Sequence, residues 1–453
     1  MKQNSAEEKD IDTVINYEYE KLKSIEFPKD GIEKSIKNST EILADLGYDV
    51  TGCMNNSIVK TNDAKKIIKL SNWEDLCSKA YESVGDGKTL ESLFTEEELK
   101  ENKELLNNIG KGFNRIHKLD KYDVMIAVVA GLLSAMVDIL LVGIPNKTTN
   151  GLKAGPLSNY IRDAFDKKFP KDEMEKLANS KVSKVPYDAQ DNRNTLIDVE
   201  GLSAYYHRLL SLGHDPVLGL IFGVYDILNG KMTTIDKSGK LVSQIMDVYA
   251  DRKEINIFNA ISKQIIHFKS DVTTSMGLPA PFMSLFNFCQ FGSIGEEEQT
   301  IAQIVQGMYY EGYDFIHFCS MSVPVMINEI IVRLGYAIKR IKEGNLVKDS
   351  IPFSLDRDKR PKLATMLFIS QSIATAVNAG KIYFTQNPLS INYPQWIMFA
   401  KYSFIQLKWN IIDKPEKRLD YIQDKLDIEV NDMYKLIDDT WYNFSKDAII
   451  IDK

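Results

Sequence analysis

The chain has 453 residues, 44% of them hydrophobic and 26% charged, and carries a net charge of −7. That length suits two or three domains, or one large helical domain with an appendage. The acidic balance excludes nucleic acid as the main partner, because neutralising phosphates needs a basic face.

Residues 1–120 read as a charged helical region. Ile11–Lys23 and Gly31–Leu46 place apolar residues at helical spacing, and Thr95 with Glu98 forms a capping box for a helix that should stop near Ile109, before Gly110. Such a region packs on a core or recruits a protein partner. Gly85–Lys88 resembles a phosphate loop only superficially, lacking the first glycine and a preceding strand.

At Tyr122 the character changes. Val124–Ile144 is almost wholly apolar, with Gly131, Ser134 and Asp138 inside it. A run of about 20 such residues is long enough to cross a bilayer. The slightly negative mean hydropathy favours instead a helix buried on all sides in a large soluble core. Gly151–Arg193 reads as loop, Asn194–Leu212 as helix, and a further helix runs from Asp215-Pro216 to Asn229-Gly230. Lys231–Ile235 and Lys240–Ser243 flank a turn and read as the one β-hairpin.

Ile255–Lys269 reads as a helix bearing His267, and Gly277–Pro281 breaks the chain. Met283–Phe291, Glu296–Glu311, Phe315–Lys342 (with Pro324 inside), Leu363–Phe384, Tyr393–Trp409 and Pro415–Asp439 follow as helices. The expected fold is mainly α: a multi-helix bundle core, one small β-hairpin and a polar helical N-terminal region. The boundaries fall at 1–120, 121–349 and 350–453.

Cys53, Cys77, Cys289 and Cys319 show neither CxxC spacing nor a secreted framework, and the polar opening stretch does not read as a signal peptide. The location read from this is the cytoplasm, with association at the inner face of a membrane left open. The abundance of Lys, Ile and Asn suits an AT-rich bacterial genome.

Three of the five histidines lie within residues 207–277. His267 and Asp271 are four apart and share a helix face, which Thr274 continues. His207, His214 and Asp215 form a second donor set, and Asp138 is a carboxylate within an apolar helix. Buried imidazoles and carboxylates form either a metal site or a hydrogen-bonded network in which Arg208 pairs with the carboxylates. His317 reads as a core histidine, His117 as solvated, and Glu329 with Arg333 as an ion pair on one helix.

Over roughly residues 122–282 the order of these pieces is similar to the bacterial membrane-bound metal-dependent hydrolases. There an apolar helix with an acidic residue precedes an HR-type motif with a second histidine, then an H-x-x-x-D-x-x-T-x-x-G motif. The matching positions are Asp138; His207, Arg208 and His214; and His267, Asp271, Thr274 and Gly277. The chain departs from the pattern in the spacing of His207 and His214, in Asp215, and in its long polar flanks. The resemblance implies a divalent metal (Zn, Mn or Mg) and hydrolysis, with no substrate named. Its site would have His207, His214, Asp215, His267 and Asp271 as ligands and Asp138 and Arg208 in catalysis. The competing reading is a non-enzymatic helical protein, an effector, defence or mobile-element component. It would act through membrane or homo-oligomer contacts of its apolar helices.

Overall fold

The computed structural model describes residues 6–23, 32–45, 47, 72–85, 89–148, 151–294 and 298–447. Cys53 and residues 86–88 lie outside them. The chain divides into two compact units, Met1–Phe113 with Asp420–Lys453, and Asn114–Leu419.

In the first unit, α1 (Ala6–Lys23) packs on α2 (Ile32–Asp45) and α3 (Trp73–Val84), burying Val14 against Cys77 and Ala80. The Tyr81 hydroxyl donates to Asp10 at 2.8 Å and Lys21 pairs with Asp45 at 2.9 Å. The expected capping box forms, with Thr95 N donating to Glu98 at 2.8 Å, and opens α4 (Glu96–His117). This helix runs past the expected stop at Gly110. Gly112 lies against Tyr421, whose hydroxyl a Cβ would meet at 3.2 Å.

The second unit begins with α5 (Lys121–Val137), capped by Asp120 and Asp123 and extended by a π-helical turn, Asp138–Val142. A short hairpin, β1 (Asn146–Thr148) with β2 (Gly151–Lys153), follows it. The stretch expected to be loop holds α6 (Pro156–Lys168) and α7 (Lys171–Ala178). Pro156 opens α6 and Pro170 is the N-cap residue of α7, positions where a proline's missing N–H costs no helix hydrogen bond. Residues 194–212, expected to be helical, are mostly turns and yield only α8 (His207–Leu210). Here the Leu196 and Ile197 amides donate to Gln244 Oε1 at 2.7 Å instead of to helix carbonyls.

Then come α9 (Phe222–Asn229), the expected hairpin β3 (Lys231–Ile235) with β4 (Leu241–Ile245), α10 (Ile257–Asp271) and α11 (Ile301–Tyr310). Met283–Phe288 is a 3₁₀ turn rather than an α-helix. The chain continues through α12 (Phe315–Lys342), α13 (Val347–Ser350), α14 (Leu363–Thr385) and α15 (Tyr393–Lys408) to α16 (Lys414–Asp447). The protein is thus mainly α-helical with small two-stranded hairpins.

α5, α12, α14 and α15 form a bundle around Ala127, Ala130, Val332, Leu363, Leu367 and Tyr402. Small residues let its helices approach closely. A Cβ on Gly131 would stand 2.6 Å from the Ser370 carbonyl oxygen of α14, and one on Gly335 2.7 Å from Ile126. Some of the bundle's inner polar groups find partners, as in Ser134 Oγ to Pro324 O at 2.9 Å and Gln395 to Gln371 at 2.7 Å, while the buried Asn328 side chain of α12 has none among the described residues. The Glu329–Arg333 ion pair forms at 2.7 Å. Lys339 of α12 and Lys362 of α14 both pair with Asp123, so the start of α5, the end of α12 and the start of α14 share one end of the bundle.

The expectation that Val124–Ile144 is buried on all sides is overturned. Ala127, Ala130 and Ser134 face inward, while Met125, Val129, Leu132, Met136 and Leu140 face outward and are exposed. On α12 the exposed row Met326, Ile330, Leu334 and Ile338 repeats every four residues, each 54–57% accessible. Three helices, the run ending at Val142, Phe315–Lys342 and Leu363–Thr385, are long and apolar enough to cross a membrane.

Candidate metal centre

The segment between α5 and α12 gathers five donor side chains from three stretches. α10 supplies His267 and Asp271, one turn apart, with Nε2 and Oδ2 separated by 3.4 Å. α8 supplies His207, and the 3₁₀ turn Leu212–His214 supplies His214. Asp188, directly after Tyr187, completes the set. Two overlapping groups result, Asp188/His207/His214 and His214/His267/Asp271, with the ligand atoms in each within 4.8 Å of one another. These groups could hold a metal ion.

Local packing explains the placement of His214. A Cβ on Gly213 would lie 2.6 Å from the Tyr187 ring, so only glycine lets this turn press against the tyrosine. Gln264, one turn before His267 on α10, donates to Gly213 O at 2.8 Å and accepts the Tyr187 hydroxyl at 2.5 Å. The Tyr187 ring meets His214 and His267 edge-on, at centroid distances of 5.1 and 5.5 Å. One side chain therefore ties all three ligand-bearing stretches together.

The imidazole tautomers follow from their other nitrogens. His207 Nδ1 lies 3.0 Å from Ala204 O, and His267 Nδ1 lies 2.9 Å from Ser183 O. A carbonyl oxygen requires a donor, so both Nδ1 atoms carry a proton, and in the neutral rings both Nε2 atoms present a lone pair. Those lone pairs face carboxylates: His207 Nε2 is 3.4 Å from Asp188 Oδ1, and His214 Nε2 is 3.6 Å from Asp188 Oδ1 and 3.7 Å from Asp271 Oδ2. Such distances are too long for hydrogen bonds to a carboxylate, which run about 2.7–2.9 Å when charged. They match donors about 2.0–2.2 Å from a common ion, which stand roughly 3.3–3.6 Å apart in a tetrahedron. The His207, His214 and His267 Nε2 atoms and Asp271 Oδ2 are buried without a hydrogen-bond partner.

Burial pushes the His214 imidazole down to about 4, keeping it neutral and able to ligate near neutral pH. The Asp188 side chain is 25% exposed, whereas the other four donors are buried, so the site opens to solvent on the Asp188 side.

Arg208 is the positioning group. Its Nη2 donates to Asp271 Oδ1 at 3.0 Å and to Thr274 Oγ1 at 3.1 Å, leaving Oδ2 free to face the histidines. Its Nη1 donates to Ser275 O at 3.0 Å and Gly277 O at 3.3 Å. Gly277, with φ at 59°, makes the turn that aims these carbonyls inward.

Two candidates lie elsewhere. Asp138 belongs to the bundle, where Lys381 donates at 3.1 Å, Asn378 at 3.1 Å and Asn392 at 2.8 Å; a carboxylate in an apolar helix has found a cation and two amides. Asp215 follows His214 but turns to the backbone, its Oδ1 accepting from the Val217 and Leu218 amides at 2.9 Å. It caps the next turn. Asp188, which sequence reasoning missed, sits in a stretch with no helical or strand period to give its direction. His317 is buried as expected, its ring 5.4 Å from that of Tyr313, but its Nε2 has no hydrogen-bond partner. His117 is half-buried rather than solvated, its ring against Trp409.

Compared with protein-family models, curated proteins and solved structures, the chain finds no match in any of the three.

Proposed function

We propose that the protein is a membrane-embedded, metal-dependent hydrolase that binds divalent metal in the cluster of Asp188, His207, His214, His267 and Asp271, whose two donor groups share His214. One observation carries the metal: lone pairs of tautomer-locked histidines face carboxylate oxygens across gaps too long for hydrogen bonds. Acceptors face each other in this way when a cation lies between them. Three imidazoles and two carboxylates favour Zn or Mn over Mg, which prefers oxygen ligands.

An ion so held supplies Lewis acidity toward a phosphoryl or carbonyl oxygen and acidifies water at neutral pH. The chain's own residues fix the geometry: Arg208 orients Asp271, Tyr187 and Gln264 lock the three stretches, and Asp188 marks the side through which substrate enters. The rows of exposed apolar residues on α5 and α12, helices long and apolar enough to cross a membrane, support the membrane reading. At 1.5 Å per residue, the 28 residues of α12 reach about 42 Å, beyond a hydrocarbon core of about 30 Å.

The test is hydrolysis of a panel of reporter phosphodiesters and esters by protein in detergent. Activity should need a divalent ion and vanish in His267→Ala. Turnover that survives both chelation and His267→Ala would contradict the hydrolase reading.

A further inference from the structure

Beside the His/Asp cluster the second unit contains a cavity of about 650 Å³, in the size range of small-molecule sites. α11 contributes Ile304 and Met308, α14 contributes Ala379 and Ile382, and α15 contributes Trp396. Among the described residues no charged side chain lines it. Its floor is buried Met283 and Met308, and its mouth lies by exposed Tyr383 and partly exposed Trp396.

Two features identify the occupant. First, the mouth lies where α14 ends and α15 begins, on helices of the bundle read above as membrane-embedded. Exposed Tyr383, with the Phe384 ring 5.6 Å from its own, and Trp396 lie at the mouth, as aromatic residues do at the headgroup level of a bilayer. Second, the floor adjoins the metal centre. Met283 and Met308 pack in one cluster with Leu209, the residue after Arg208. Tyr309, next to Met308, donates to Gly277 O at 2.9 Å, the carbonyl that also accepts from Arg208.

We infer that the cavity takes an acyl chain of a membrane lipid, and that lipids are the substrate class of the His/Asp centre, with the polar head at the cluster and the chain in the cavity. The second half rests on the hydrolase reading above. A lining without charged side chains asks no polar partner of a methylene chain.

The test uses the full chain in phosphatidylcholine/phosphatidylglycerol vesicles containing a phosphatidylcholine with a diazirine on its palmitoyl chain. After photolysis, peptides holding Ile304, Met308 and Ile382 should carry label, as should the outward faces of α5 and α12. Ile304→Trp and Ala379→Trp fill the cavity from different helices. Each should cut the cavity label by about tenfold while belt labelling and metal content stay unchanged, which shows the variants to be folded and inserted. Unlabelled cavity peptides beside a labelled belt, or cavity label that survives both fillers, would overturn the chain site. Cavity labelling that persists in metal-free His267→Ala supports the chain site however the hydrolase reading fares. Failure of metal-loaded, reporter-active protein to hydrolyse the same lipid would remove lipids as the substrate class.

Discussion

Arg208 and His214 show how single side chains fix the site's chemistry. Arg208 takes one Asp271 oxygen and leaves the other facing the histidines. Lysine keeps the charge but loses the planar fork, so Arg208→Lys should weaken metal affinity by roughly 10–100-fold, as loss of an outer-shell partner does. Metal titration of the chelator-stripped variant measures this, and an unchanged affinity would remove Arg208 from the site. His214 sets the pH response of the stripped protein. Its folded value, about 4, lies below the ordinary 6.5, so between those values the unfolded chain binds more protons. Stability therefore falls as pH drops from 6.5 to 4 and loses nothing more to this group below that. Asp226, raised by burial from 3.8 to about 6, acts with the opposite sign over its own window. The comparison of wild type with His214→Gln isolates the histidine: thermal melts should show a shallower acid slope in the variant, and parallel slopes would contradict the assignment.

At the scale of elements, legibility in the sequence depended on periodicity. His267 and Asp271 could be paired from their spacing because α10 is a regular helix, and α12, α14 and α15 announced themselves as long apolar runs. Asp188 could not be found, since residues 179–206 follow a path set by side chains distant in sequence, Gln244 holding 196–197 and Gln264 holding Tyr187. Asp138 was legible as a carboxylate needing a partner, but its choice of Lys381 over the histidines depends on how α14 packs against α5. That packing yields a prediction. Asp138→Ala leaves the buried Lys381 ammonium without its counter-charge and should cost about 3–5 kcal/mol, whereas Asp138→Leu with Lys381→Met should recover most of it. Thermal unfolding in detergent measures both. The double variant should retain its metal; a folded double variant that has lost it would return Asp138 to the site.

For the whole molecule, the bundle's two ends differ in charge. Lys118, Lys121, Lys339, Arg340, Lys342, Lys359 and Lys362 gather near the start of α5, the end of α12 and the start of α14, while at the other end the 386–392 connection has no charged residue and residues 143–157 carry only Lys147 and Lys153. Positively charged flanks stay on the cytoplasmic side, so the account places that end in the cytoplasm. In a background with the native cysteines replaced, Gln386→Cys should react with an impermeant maleimide on intact cells, and Leu346→Cys only after permeabilisation; the reverse pattern would invert the topology. The central claim, divalent metal in the cluster whose two donor groups share His214, is tested most directly by metal content. Protein purified without chelator and measured by inductively coupled plasma mass spectrometry should carry stoichiometric Zn or Mn, and folded Asp188→Ala and His214→Ala should lose metal. Wild-type protein that holds no stoichiometric divalent ion, even after loading, would contradict the account.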